Sequence, residues 1–250
     1  MMRVSFYIIL LCCFCLQTKL LNAQRNMFMA HNATPINRIK KNGLTAANAA
    51  ANAYEIKQDF PNSTDGLYWI KNNNVNNGIP FQIYADMTTD GGGWTLILTN
   101  IGYAGWSYDN AVLRNELSPS LTVNYSIVQW ADYIKKSTIG FQYMMEANDR
   151  NRWGGIWTAN EAYSFVATVN TQTNITRNTT WDTYDYDLSK TNSIQPRMPW
   201  RTMANNGFLT TDDGAGNWWG TLVTSQSAWF TSPWVEGIMP TPSKIYYWVR

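Results

Sequence analysis

Residues 81 to 95, FQIYADMTTDGGGWT, combine an aromatic segment, an acidic turn and three consecutive glycines before a tryptophan. Apolar and polar side chains alternate along 81–86, which is the period of two expected of a β-strand. Asp90 and Gly91 favour a tight reversal, and alternation resumes at Trp94. Three glycines in a row supply no side-chain packing, so we expect positive φ angles or another segment passing too close for a Cβ. The stretch predicts a β-hairpin with a crowded turn.

This block resembles the signature of the fibrinogen-like domain, in particular the form found in secreted bacterial proteins. That signature is a tyrosine, a cysteine, an aspartate, a short spacer, three glycines and a tryptophan. Here Tyr84, Ala85 and Asp86 precede the spacer, and 91–94 supplies the glycines and the tryptophan. The sequence therefore keeps the signature except for its cysteine.

Segments on both sides extend the resemblance. Residues 56–70 resemble the opening helix, turn and first strand of the family, 217–219 (NWW) resembles its aromatic pair, and 245–250 (IYYWVR) resembles its C-terminal strand. The likeness covers roughly residues 46–250 and is weakest between about 100 and 200. It implies an α+β fold, fibrinogen C-terminal-like, with a mostly antiparallel sheet, short helices and long loops. In that fold the loops near the carboxyl end build the binding site.

The amino-terminal segment resembles an export signal. Arg3 gives a positive start, 6–16 is an apolar run, and 21–23 (LNA) is a passable cleavage site, so we interpret 1–23 as a signal peptide. The run is too short to span a bilayer, and no membrane insertion is expected. The three cysteines all lie within the first 16 residues, so the mature chain is expected to be free of disulfides. We predict a secreted, extracellular protein, and the sequence leaves open whether it stays associated with a surface.

The organisation and charge of the mature chain follow from this cleavage. Residues 24–44 are polar and without periodicity, which predicts a flexible leader, and 45–250 are predicted to form one domain. Removing Arg3 and Lys19 with the signal leaves equal numbers of basic and acidic residues. Nucleic-acid binding therefore has no electrostatic support.

Local patterns predict a helix at 45–59 with Thr45 as its N-cap and its end before Pro61. For 109–136, two short helices and one helix with a loop are equally defensible. Further predictions are a turn at 72–78, strands at 141–145, 163–169 and 244–249, and a loop at 205–220.

Tryptophan is the residue that we expect to replace the missing disulfides. All 13 tryptophans lie after residue 23. Loss of a disulfide costs roughly 2 to 4 kcal/mol, and one or two well-packed indoles would offset that loss. Aromatic packing in the core is the resulting hypothesis.

A metal site is predicted in the segment that precedes the aromatic pair. Asp212, Asp213 and Asn217 place two carboxylates and an amide oxygen among glycines, which is a donor set suited to calcium. The resemblance implies a calcium-binding acidic loop at this position. The alternative is a solvated Asp-Gly turn without metal.

Ligand binding is expected from aromatic and hydroxyl side chains in the same region, because an indole stacks on a sugar ring while hydroxyls bond its rim. Of four neighbouring tryptophans, we expect Trp219 and Trp229 in the core. The candidate ligand-binding residues are Trp218, Trp234, Thr221, Ser225 and Tyr247. The expected ligand is a glycan or an acetylated surface group.

Catalysis has little support in the residue inventory. The only histidine is His31, in the leader, and no thiol follows the signal, which argues against Ser-His, Cys-His and imidazole-zinc chemistry. A glycosidase using two carboxylates stays conceivable, but we expect a protein that is not an enzyme. The alternative function is a structural or adhesive extracellular protein with no small-molecule ligand, and the sequence leaves the oligomeric state open.

Overall fold

Antiparallel strands make up most of the regular structure in a computed structural model that describes residues 38–101, 106–181, 196–201, 207–211, 221–223 and 244–250. The strands in these ranges are β1 (Gly66–Ile70), β2 (Phe81–Asp86), β3 (Trp94–Ile101), β4 (Tyr125–Ser126), β5 (Gln142–Ala147), β6 (Gly154–Ala159), β7 (Ile175–Trp181), β8 (Gly207–Phe208), β9 (Leu222–Val223) and β10 (Lys244–Val249). The α-helices are α1 (Ala53–Asp59) and α2 (Ala131–Ile134), and 3₁₀ turns occupy Ala46–Asn48, Asn76–Gly78, Thr89–Gly91 and Val128–Trp130. No helix in these ranges is long and apolar enough to cross a membrane.

The main sheet has the strand order β1-β2-β3-β10-β5-β6-β7, with β4 paired to β3. Every neighbouring pair is antiparallel. β10 therefore lies at the centre and joins β1–β3 to β5–β7. The prediction of a final strand at 244–249 is confirmed, and so is an α+β fold class with a mostly antiparallel sheet, short helices and long connecting segments.

The glycine hairpin forms as predicted. β2 and β3 pair through Ala85 with Thr95 and through Asp86 with Trp94. All three glycines of 91–93 have positive φ, between 75° and 84°. A Cβ on Gly92 would lie 2.2 Å from the carbonyl oxygen of Met87. The turn thus requires glycine for its backbone angles and also for the close approach of a neighbouring segment.

The helix predicted from residue 45 divides into two elements. Thr45 caps only the 3₁₀ turn, where its hydroxyl accepts from Asn48 N at 3.3 Å. The α-helix begins after Asn52, whose side chain accepts from Glu55 N at 2.8 Å, while the Glu55 carboxylate accepts from Ala51 N at 2.7 Å. This reciprocal arrangement is a capping box one residue out of its usual register, and it fixes the start of α1. The predicted end before Pro61 is confirmed.

The segment 109–136 contains a loop followed by a helix, which is the second of the two alternatives. Its first half forms turns, with Asn115 at φ +51°, and β4 then joins the sheet through Ser126 opposite Leu98. The Val128–Trp130 turn leads directly into α2.

The strand predicted at 163–169 is wrong. In this segment only Phe165 is buried, and it reaches the core between Tyr143 and Tyr247 at ring-centroid distances of 5.8 and 6.4 Å. The backbone does not pair with a neighbouring strand: Ser164 N donates to the Gln172 side chain at 2.8 Å, Ala167 N donates to Ser164 O, and Ala167 O accepts a single bond from Arg201 N. The apolar alternation therefore belongs to a turn with one anchoring ring.

The core is rich in aromatic rings. Trp94, Trp157 and Trp248 are fully buried, and Tyr143 stacks on Trp157 with a centroid distance of 5.7 Å. The contacts between residues divide the chain into two compact units, and the core described here belongs to the unit Lys40–Arg250. Within it the burial of indoles agrees with the hypothesis that aromatic packing replaces disulfides.

Candidate functional site

The part of the predicted binding region that the structure describes is a small two-stranded element. β8 and β9 pair through Gly207 with Val223 and through Phe208 with Leu222. The loop predicted at 205–220 therefore contains a strand. We call residues 207–211 and 221–223 the β8–β9 base, because the sequence between them carries the predicted calcium ligands and Trp218.

Buried hydrogen bonds hold the β8–β9 base together. Thr210 exchanges two backbone hydrogen bonds of 3.0 Å with Trp200. The hydroxyl of Thr221 donates to the Thr210 hydroxyl at 3.1 Å, and Thr211 has no exposed surface. The residues on either side of 212–220, Thr211 and Thr221, are thus both buried.

Two of the predicted ligand-binding residues lie at this base. Thr221 and Tyr247 both have no exposed surface, and the Tyr247 hydroxyl donates to Leu209 O over 3.4 Å. As placed, both side chains support the base and neither presents an open face to a ligand. Trp218, Trp234, Ser225, Asp212, Asp213 and Asn217 lie outside the described residues, as do Trp219 and Trp229.

Leu209 has an unusual backbone conformation in the β8–β9 base. Its φ is +53° although its side chain is branched and fully buried. A residue other than glycine adopts a positive φ only at a cost in free energy, and residues in such strained conformations cluster at functional sites. Sequence reasoning missed this feature because Leu209 resembles an ordinary strand residue.

The hydroxyls of the buried residues Tyr247 and Tyr143 are neutral. Burial raises the pKa of Tyr247, and burial together with the neighbouring hydroxyls of Tyr247 and Tyr163 raises the pKa of Tyr143. The Tyr143 hydroxyl is enclosed and has no hydrogen-bond partner among the described residues. Of the two, only Tyr247 bonds to the β8–β9 base, and with raised pKa values neither hydroxyl accepts the role of a proton-abstracting group near neutral pH.

Arginine side chains stack on aromatic rings beside the β8–β9 base. The guanidinium of Arg201 lies 3.6 Å from the ring centroid of Tyr108 and 5.7 Å from that of Phe208. Arg197 lies 5.3 Å from the ring centroid of Trp200. This cluster of arginines and rings, of which Arg197, Trp200 and Phe208 are buried, was not predicted, since Tyr108 and Arg201 are 93 residues apart in the sequence.

A buried ionic network fixes the signature aspartate to the sheet. Arg150 bonds Asp86 through Nη2 and Glu146 through Nε, the latter at 2.8 Å. Glu146 also accepts from Trp248 Nε1 at 2.7 Å and from Asn151 N at 2.6 Å. The two carboxylates are buried and fully engaged. They stabilise the fold and do not resemble a catalytic pair facing a cleft.

The pKa values of these carboxylates shift in opposite directions. Burial raises the pKa of Glu146, opposed by Arg150 and by the hydrogen bond from Asn151. Burial also favours a higher pKa for Asp86, but hydrogen bonds from Thr89 and Thr88, together with the charge of Arg150, bring its pKa below the ordinary value.

Clefts on the surface of the described residues include the following two. One, of about 450 Å³, lies between the 59–64 turn and Tyr68. The other, of about 480 Å³, lies between the β1–β2 face and residues 115–123. Neither contains a predicted site residue. Within the described ranges no group of three or more His, Cys, Asp or Glu side chains could hold a metal, and the predicted calcium ligands lie outside those ranges.

No protein-family model matches the sequence. Among solved structures, the fibrinogen-like globe domain of human ANGPTL2 is similar to this chain at 13% identity, covering 80% of this chain and 98% of that chain, with a TM-score of 0.40. The fibrinogen-like globe domain of human ANGPTL6 is similar at 10% identity, covering 80% of this chain and 94% of that chain, with a TM-score of 0.42. TM-scores of this size do not establish a shared fold, so the α+β class given above rests on the strands and their pairing.

Proposed function

We propose that this chain is a secreted recognition module of the fibrinogen-like type, which binds a carbohydrate or an acetylated group on a surface. Asp212, Asp213 and Asn217 hold calcium in this proposal. Trp218 and Trp234 stack on the ligand, and Ser225 bonds its rim. Thr221 and Tyr247, which are buried, position the site from below.

The observation that carries the proposal is the closed β8–β9 base. Thr210 and Thr221, which flank residues 211–220 with their two carboxylates and two indoles, are hydrogen-bonded to each other, so the two anchor points of this segment are held together. Fixed ends lower the entropy cost of ordering a binding segment. Tyr247 extends this support to the central strand of the sheet.

The proposal assigns no catalytic role to the chain. The carboxylates of the Asp86 and Glu146 network are occupied by Arg150, Trp248 and backbone donors. Glu161 is an exposed surface residue whose carboxylate accepts a hydrogen bond from the Asn174 side chain at 2.8 Å.

Export is supported by the amino-terminal 23 residues, which have the three parts of a signal peptide.

Calorimetric titration of residues 24–250 with calcium, and then with N-acetylglucosamine in calcium or in chelator, tests the proposal. We expect calcium to bind, and sugar binding to disappear in chelator. Asp212→Asn should weaken calcium binding at least tenfold because a charged ligand is lost, whereas Asp109→Asn, at an exposed site, should not.

The aromatic part of the site is tested with Trp218→Ala and Trp234→Ala. We expect weaker sugar binding with an unchanged melting temperature, and no effect of Tyr133→Ala, a half-exposed aromatic residue elsewhere. If neither calcium nor sugar binds and the tryptophan variants only lower the melting temperature, the chain is a structural or adhesive protein instead.

A further inference from the structure

Arg201 occupies a fixed position next to the β8–β9 base. Its backbone N–H donates to Ala167 O at 2.7 Å, and the preceding residue, Trp200, is paired with Thr210. The side chain therefore starts from a backbone that is hydrogen-bonded at residues 200 and 201. Arg201 as a whole is half-buried.

Aromatic rings fix the plane of the Arg201 guanidinium. The short distance to the Tyr108 ring, 3.6 Å, is that of a stacked pair, and Phe208 lies on the side of the fully buried core. A stacked guanidinium keeps its N–H donors in one plane, pointing away from the rings. Donors arranged in this way suit a planar or tetrahedral group of anionic oxygens.

The hydrogen-bonding capacity of Arg201 is largely unused by the described residues. Nη2 donates to Tyr108 O over 3.4 Å, which is long, and Nε is enclosed without an acceptor. A guanidinium has five N–H donors, and leaving them unpaired in a partly buried place is unfavourable.

Within the described residues, Arg201 differs from Arg150 and Arg250 in its charged neighbours. Arg150 forms ion pairs with Asp86 and Glu146, and Arg250 forms one with Asp90. No carboxylate of a described residue forms an ion pair with Arg201. Stacking offsets only part of the cost of removing a charge from water.

We propose that Arg201 binds an anionic group of the ligand, the carboxylate or sulfate of an acidic saccharide. The inference rests on the proposed function for the saccharide and adds the charge of that saccharide. A ligand with one or a few charges fits better than a polyanion, because the mature chain has no net positive charge to attract nucleic acid or a long sulfated polymer.

Calorimetry on residues 24–250 with three monosaccharides tests this inference. The probes are N-acetylglucosamine, its 6-sulfate and N-acetylneuraminic acid. We expect one or both acidic sugars to bind about tenfold more tightly than the neutral one, the gain of about one charge-assisted hydrogen bond. The acidic probe that gains more identifies sulfate or carboxylate as the preferred group.

Two variants and one control separate recognition from packing. Arg201→Gln should abolish the preference for acidic sugar while leaving the neutral sugar bound as before. Arg201→Lys should restore part of it, because the charge returns without the planar donors. Arg177→Gln, an exposed arginine on β7, should retain the full preference. A melting curve for each variant checks that the fold is intact.

Each result decides between the two proposals. Equal affinity for acidic and neutral sugars overturns the anion site and leaves carbohydrate binding in place. If no sugar binds, the proposed function fails. The anion site is then tested with inorganic sulfate alone, by following the NMR resonance of the Arg201 Nε–H. This resonance is identified by its loss in Arg201→Gln. A saturable shift supports an anion site without carbohydrate recognition, and an unchanged resonance overturns the inference.

Discussion

Arg250 and Gly92 are joined by a hydrogen bond across 158 residues of sequence, in which the guanidinium Nη1 donates to the glycine carbonyl at 2.8 Å. The same nitrogen donates to Asp90 O at 2.6 Å, and Nη2 donates to the Asp90 carboxylate at 2.7 Å. The guanidinium also lies 4.1 Å from the ring centroid of Trp94. A single side chain next to β10 therefore closes the glycine turn.

Arg250→Lys should lower the free energy of unfolding by about 2 kcal/mol, because a single ammonium group cannot serve these acceptors and stack on the ring at once. Urea unfolding of the mature chain measures the change. Asp90→Asn is the matched control. Its side chain is half-exposed, so we expect a loss below about 1 kcal/mol. Equal effects of the two substitutions would show that the carbonyl contacts contribute nothing.

The glycine turn offers a second comparison. Gly91→Ala adds a Cβ that meets no atom within 4 Å, so its cost is the positive φ alone, about 1 to 2 kcal/mol. Gly92 combines a φ of 75° with a ψ of −166°, a region essentially restricted to glycine, and Gly92→Ala also places a Cβ against the Met87 backbone, so we expect about 2 kcal/mol of further loss. Denaturant midpoints at constant slope give both values, and a Gly92 variant as stable as the Gly91 variant would contradict the close approach.

The two carboxylates of the Arg150 network should give stability opposite dependences on pH. The folded-state pKa of Asp86 is lowered, so its contribution is present above its ordinary pKa of 3.8 and is lost as pH falls through the folded value. The folded-state pKa of Glu146 is raised, so its contribution is present below its ordinary pKa of 4.5 and is lost as pH rises through the folded value.

Unfolding free energies from about pH 3 to pH 7 test both signs. Asp86→Asn should reduce the fall in unfolding free energy towards acid pH. Glu146→Gln should remove the fall in unfolding free energy above pH 4.5. A decline above pH 4.5 that persisted in Glu146→Gln would assign it to another group.

Two buried tyrosine hydroxyls should respond oppositely to removal. Tyr143→Phe deletes a buried hydroxyl that has no partner among the described residues, so stability should rise by about 1 kcal/mol. Tyr247→Phe deletes the donor to Leu209 O and should lower stability by about 1 kcal/mol. Thermal melts of both variants under one buffer condition provide the comparison, and a destabilised Tyr143→Phe would reveal a bonded hydroxyl.

Elements with a strong local signal were predictable from the sequence. The hairpin at 81–99 combines alternation with glycines that only positive φ explains, and 244–249 is apolar and aromatic throughout. β7 was missed because its ITRNTTW sequence is mostly polar and exposed, so it has no apolar face to detect. The segment 163–169 was assigned wrongly because its apolar residues alternate although only Phe165 enters the core.

Long-range contacts, both in the fold and beside the β8–β9 base, were harder to predict because they join residues distant in sequence. Asp86 and Arg150 are 64 residues apart, and Arg201 and Tyr108 are 93 apart. Neither pair has a spacing that reveals it. Tyr247 and Thr221 are predicted from the sequence to contact a ligand, and their burial could not be predicted because it depends on how β10 and β9 pack, which composition does not report.

The central position of β10 makes completion of the main sheet depend on a strand near the carboxyl end of the sequence. Strands β3 and β5 are separated by 40 residues at the nearest, yet each bonds β10, which is synthesised long after both. Until β10 arrives, each half of the sheet has an open edge, and pairing over such distances is slow. The nascent chain is therefore vulnerable to edge-to-edge aggregation, and a variant truncated before residue 244 should accumulate as insoluble material.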